Sequence, residues 1–110
     1  MTTYLVHARY SPAAFQGMLA ASHDRGQAAK ALFKSLGLKT KEIMYSVTSG
    51  EIVCLVEGTA AQIAQAQMIT MASGGFSQVD AQELMTTKDM QAAMKTAASK
   101  VSKYSAPNKK

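Results

Sequence analysis

The chain has 110 residues, 47% of them hydrophobic, and a net charge of +5. That is one domain with a modest core, too short for two, and its longest apolar stretches are strand-length, which argues against a membrane span. The opening MTTYLVHARY meets His7 and Arg9 after three apolar residues, so it does not read as a signal peptide either, and a cytoplasmic protein is expected.

Residues 3–10, TYLVHARY, have the composition and length of a strand. Its two-residue period puts Tyr4, Val6, Ala8 and Tyr10 on one face and Leu5, His7 and Arg9 on the other. Ser11-Pro12 then reads as an N-cap followed by proline at the first helical position. The helical pattern carries Phe15, Met18 and Leu19, is interrupted by the polar run Ser22 to Gly26 (a kink, a loop or a second cap), and resumes through Leu32, Phe33 and Leu36 to a stop at Gly37. Residues 39–48 and 51–57 read as a hairpin about Ser49-Gly50. Thr59 caps a second helical pattern to about Met71, with Ile63, Ala64, Met68 and Met71 on one face, and Ser73-Gly74-Gly75 ends it. A strand over 76–85 and a last helix opening at Thr86 and carrying Met90, Ala93, Met94 and Ala97 complete the chain, before a basic end containing Pro107. The order β-α-β-β-α-β-α predicts an α+β, ferredoxin-like βαββαβ antiparallel sheet with a C-terminal helix. Both crossovers then pack on one face of the sheet and leave the other uncovered. The expected division is a domain over 3–98 and a basic tail over 99–110.

A two-residue turn at Ser49-Gly50 pairs Tyr45 with Cys54, Met44 with Leu55 and Glu42 with Glu57. One hairpin face is then Ile43, Tyr45, Val47, Ile52, Cys54 and Val56, suited to a helix-covered core. The opposite face is also apolar at its centre, through Met44, Val53 and Leu55. Burying one such side chain contributes about 1.5–3 kcal/mol, so three together on an open face call for a cover, and a homo-oligomer with two sheets face to face, of the dimeric α/β-barrel type, supplies one. A one-residue slip of the turn exchanges the faces but leaves both apolar.

By the same alternation Leu5, His7 and Arg9 look toward the uncovered side. The candidate ligand-binding residues are therefore His7, Arg9, Met44, Leu55 and Glu57, with Glu42 close by: an apolar floor, an arginine for an anionic group, and a histidine or carboxylate able to move a proton. The same groups could instead satisfy one another across an interface, with Arg9 or Lys41 offsetting the Glu42–Glu57 repulsion.

Other patterns carry less. His7, His23 and Cys54 lack metal-ligand spacing, so no metal or cofactor is expected. Cys54, the single cysteine, cannot form an internal disulfide and reads as a small buried hydrophobe. Ser22-His23-Asp24 has triad residue types but is contiguous, whereas triads are assembled in space. Met68, Met71, Met85, Met90 and Met94, among the eight methionines, read as core filler or as an adaptable interface. Gly74-Gly75 follows a helix and precedes a strand, the reverse of a phosphate-binding loop. The charge is unevenly placed. Basic and acidic residues balance over 1–87, and the excess lies in Lys88, Lys95, Lys100, Lys103, Lys109 and Lys110. Spaced lysines with one aromatic, Tyr104, read as a solvated face, which argues against nucleic acid as a partner.

YLVHARYSP at the start, the helix ending LFKSLGLK, EIMYSV followed by EIVCLVE, the helix TAAQIAQAQM, a Gly-rich break and a final strand together resemble the GYD domain family, small bacterial proteins, over about residues 3–98. The resemblance implies a ferredoxin-like fold and points to no established general activity. The family's Gly-x-Tyr-Asp motif would fall on Thr48, Ser49, Gly50 and Glu51, so only the acidic position is approximately kept, and no role of the motif tyrosine carries over. Three functions are then compatible with the residues: an oligomer binding a small apolar or anionic ligand between the sheet face and a partner, a cofactor-free isomerase or monooxygenase using His7 as proton shuttle and Arg9 as anion anchor, or a structural subunit docking another protein through its sheet.

Overall fold

A computed structural model describes residues 2–108. The elements follow the expected order: β1 (Thr2–Tyr10), α1 (Pro12–Ala20), α2 (Arg25–Ser35), β2 (Lys39–Ser46), β3 (Glu51–Gly58), α3 (Ala60–Ala72), β4 (Phe76–Leu84) and α4 (Thr87–Ala98), with a 3-10 turn at Val101–Lys103. The four strands form one antiparallel sheet in the order β2-β3-β1-β4, and the fold is α+β and ferredoxin-like.

Local signals set most boundaries. Ser11 Oγ accepts from the Ala14 amide with Pro12 at the first helical position. The Ser22–Gly26 break contains a second cap: Asp24 Oδ1 accepts from Gly26 N at 2.8 Å and starts α2 afresh. Thr59 and Gln62 exchange side chain-to-backbone bonds in a capping box at α3. Gly37, at φ +82°, ends α2.

The core lies between the sheet and α1 to α3. Tyr4, Val6, Ala8 and Tyr10 of β1 are buried against Ile52, Cys54 and Val56 of β3, Val79 of β4, Phe33 of α2 and Ile63 and Ala66 of α3. The buried stripe of α3 is therefore Ile63 and Ala66, not the Ile63–Met68–Met71 face that apolar spacing suggests, and Gln67 Nε2 of the same helix donates to Val79 O at 3.1 Å. Ala66 on that stripe lets the helix approach the sheet, and Met68 and Met71 are turned outward.

The hairpin departs from expectation in register. Ser46 pairs with Glu51, Tyr45 with Ile52, Met44 with Val53 and Ile43 with Cys54, two residues away from the pairing of a two-residue turn. The connection is a four-residue turn, Val47 to Gly50, closed by Gly50 N donating to Ser46 O at 2.8 Å, with Gly50 in the left-handed region at φ +71°. Because the shift is even, every strand residue keeps its assigned face. Val47 and Thr48 leave the strand for the turn, Val47 from the inner face to an exposed position. A bulge between Thr40 and Glu42 then sets Glu42 opposite Leu55 and Lys39 opposite Glu57, so the Glu42–Glu57 repulsion does not arise.

The last helix does not join the body. Every residue of α4 is exposed, and the chain spans 61 × 31 × 24 Å with a radius of gyration of 18.4 Å, against about 13 Å for a compact domain of about 100 residues. Met68, Met71, Met85, Met90 and Met94 are all exposed, which overturns their reading as core filler.

Candidate functional site

Among the described residues, no helix covers the second face of the sheet. It is built from alternate residues in register: Leu5, His7 and Arg9 of β1; Glu51, Val53, Leu55 and Glu57 of β3; Met44 and Glu42 of β2; Gln78, Asp80 and Gln82 of β4. Leu5 lies opposite Leu55 and His7 opposite Val53, and Met44 stands on the far side of Val53. This apolar belt is half-buried at Leu5, Val53 and Leu55, and 65% exposed at Met44.

A polar cluster sits at the hairpin end of the belt. His7 Nδ1 lies 3.0 Å from Glu51 Oε2, a diagonal contact between β1 and β3, with side chains only 24% and 15% exposed. The hydrogen bond from His7 holds the Glu51 carboxyl below its ordinary range, helped by Ser49 and the charge of Arg9. With Glu51 ionised, Nδ1–H donates and Nε2 is the His7 atom left for another partner. Arg9, directly opposite Glu51, sends Nη2 to the Ser49 carbonyl at 3.3 Å and so ties β1 to the hairpin tip. On the other side of His7, Asp80 is its register partner in β4 and accepts from Gln78 Nε2 at 2.7 Å.

Of the expected site residues, His7 and Arg9 adjoin this cluster, and Met44 and Leu55 line the belt beside it. Glu57 does not belong with them. It pairs in register with Thr3, four residues along β1 from His7, or about 13 Å at the rise of a strand. There its Oε2 meets Lys41 Nζ at 3.8 Å, because the bulge brings Lys41 to it. The carboxylate beside His7 is Glu51 instead, and Asp80 on β4 is a second acidic neighbour. Glu51 was open to discovery in the sequence, since the family motif aligned its acidic residue there. Asp80 needed only the β1–β4 register.

Chemically the face offers an oriented imidazole, an exposed guanidinium and an apolar floor. Among the described residues no group of three or more His, Cys, Asp or Glu side chains is arranged to hold a metal ion, and no helix is long and apolar enough to cross a membrane. Cys54 is buried on the opposite side of the sheet, its thiol pushed up to about 11 by burial, and so stays protonated near neutrality. No curated protein matches the chain. A family model for the GYD domain matches residues 4–94, and the chain belongs to the GYD domain family.

Proposed function

We propose that the protein is a self-associating, small-ligand-binding subunit whose open sheet face meets a second copy, with a small apolar or anionic ligand held between them. Met44, Val53 and Leu55 form the floor, Arg9 anchors an anionic group, and His7, oriented by Glu51, presents Nε2 to the ligand. The observation that carries this reading is the belt of Leu5, Val53, Leu55 and Met44 on a face that no helix among the described residues covers. Exposed apolar surface of that kind promotes association, and two such sheets stack about 10 Å apart with side chains interdigitated. Glu57 lies outside the ligand contact and acts with Lys41 at the rim.

The His7–Glu51 contact favours one second reading, a cofactor-free enzyme of isomerase or monooxygenase type. A carboxylate that fixes the imidazole tautomer is the arrangement a proton shuttle needs. Sedimentation equilibrium tests the premise that both readings share. Wild type should sediment as an oligomer and Leu55→Lys as a folded monomer, since a lysine in the belt cannot be paired across a two-fold contact with its own copy. A wild-type monomer at micromolar concentration sinks both.

A further inference from the structure

The helix-facing side of the sheet holds a second opening that the open-face reading does not use. Tyr10, the last residue of β1, packs its ring edge-on to Phe15 of α1 (centroids 5.6 Å apart) and stacks on Phe76 of β4 (5.0 Å). Arg25, the first residue of α2, hydrogen-bonds the imidazole of His23 and borders the same cavities as Tyr10. Three cavities are each lined by both Tyr10 and Arg25, with volumes of ≈ 100, ≈ 430 and ≈ 270 Å³. The largest lies between the α1–α2 break and the hairpin and is walled by Phe15, Met18, Ile43 and Ile52. The smallest continues inward between α2, α3 and the sheet, where Ala28, Ala29 and Ala66 leave the space unfilled.

The guanidinium at this junction is half-buried and, among the described residues, is not held in an ion pair. Asp24 borders the largest cavity and is engaged as a helix cap, and Asp80, at the smallest, directs its carboxylate to the open face. Asp24 Oδ1 caps α2 by accepting from Gly26 N, and Asp80 Oδ2 accepts from Gln78 Nε2 on the open face. A half-buried guanidinium bordering an apolar cavity fits a carboxylate, which it can grip with two parallel bonds. Tyr10, on the same cavity wall, keeps its phenolic proton for the same anion, because burial raises its ionisation above the ordinary value.

We propose that Arg25 and Tyr10 form a binding site for a small monocarboxylate with an aromatic or short alkyl body, the carboxylate on Arg25 and the body against Phe15, Met18 and Ile43. The site opens on the helix side of the sheet and meets the open-face belt only along the edge strand β2 at Met44, and its contacts with Arg25 and Tyr10 do not depend on that face being covered. A pocket with apolar walls and a few convergent polar groups is the usual form of a small-molecule site, and the enclosure here is made by two helices and the hairpin of one chain, so it needs no partner.

The test is a titration of the full chain with sodium benzoate, followed by amide chemical shifts. Saturable shifts should appear at Tyr10, Phe15, Gly26 and Ile43, with a Kd in the range of about 1 mM for so small a ligand. Arg25→Gln should weaken binding about tenfold or more, Arg25→Lys less, and benzyl alcohol, which lacks the charge, should bind wild type as poorly as benzoate binds Arg25→Gln. Met18→Trp fills the cavity without touching the guanidinium and should also abolish binding, which keeps the test decisive if Arg25→Gln fails to fold. Unchanged affinity in Arg25→Gln, shifts confined to His7 and Val53 on the open face, or no saturation by about 20 mM would each overturn the proposal.

Discussion

The two faces of the sheet are similar in sequence and different in physical state. On the helix side Tyr4, Val6, Ala8, Tyr10, Ile52, Cys54 and Val56 are all buried, and Val56 is 0% exposed. On the open side Leu5, Val53 and Leu55 occupy the intervening positions of the same strands and are only half-buried, with no layer above them. Apolar character alone therefore does not say that a strand residue is in a core. What separates the faces is the direction of the two crossover connections, which send α1 to α3 to one side.

The largest effect should come from the covered face. Phe33 of α2 is 5% exposed and packs into the sheet, so Phe33→Ala should cost about 3–5 kcal/mol of unfolding free energy, read as a lower urea midpoint with an unchanged slope. Truncating Leu55 to Ala on the open face should cost the isolated subunit much less, because that side chain is already partly exposed to water. Equal losses would mean that the two faces are equally covered in solution, and would break the comparison.

How far this contrast was legible follows from particular residues. TYLVHARY gave the faces of β1 correctly, because strand alternation is purely local. The hairpin faces survived an incorrect register only because the error was even. TSGE looks like a two-residue turn, and nothing local announces that Ser46 and Gly50 will bond instead. The Lys41 bulge was equally silent, and it removed Glu57 from the expected cluster. The His7–Glu51 contact is a diagonal pair that depends on the β1–β3 register. The Arg25–Tyr10 junction depends on the return of a chain broken at Asp24. Neither is written in spacing. Met90, Ala93, Met94 and Ala97 have helical spacing, and α4 does form, but periodicity identifies an apolar face without showing that a surface exists to receive it.

A smaller effect should distinguish the polar end of the open face from its apolar belt. The Glu51 carboxyl is held below its ordinary value of 4.5, chiefly by the His7 hydrogen bond. A depressed folded-state value contributes stability that is fully present above the unfolded value and is lost as pH falls through the folded one. Wild type should thus lose thermal stability below about pH 4.5 in part through this group, and Glu51→Gln should show a shallower decline there while matching the wild-type slope from pH 6 to 8. Identical profiles at acid pH would mean that the contact is too solvent-screened to matter, leaving the apolar belt as the working part of the face.

The smallest effect should come from the C-terminal end, which belongs to neither face. All of α4 is exposed, and the tail carries most of the excess positive charge. Deleting residues 99–110 should leave both unfolding free energy and sedimentation of the assembly unchanged, since no core residue is lost and the sheet belt remains. If the deletion instead releases monomers, the tail takes part in holding copies together. Extending the deletion back to residue 87 would then separate the contribution of α4 from that of the lysines, because α4 carries the exposed Met90 and Met94 that a second copy could cover. A loss of association only with the longer deletion would place the missing cover of the open face on an apolar helix and not on a second sheet, a different architecture for the same unpaired belt.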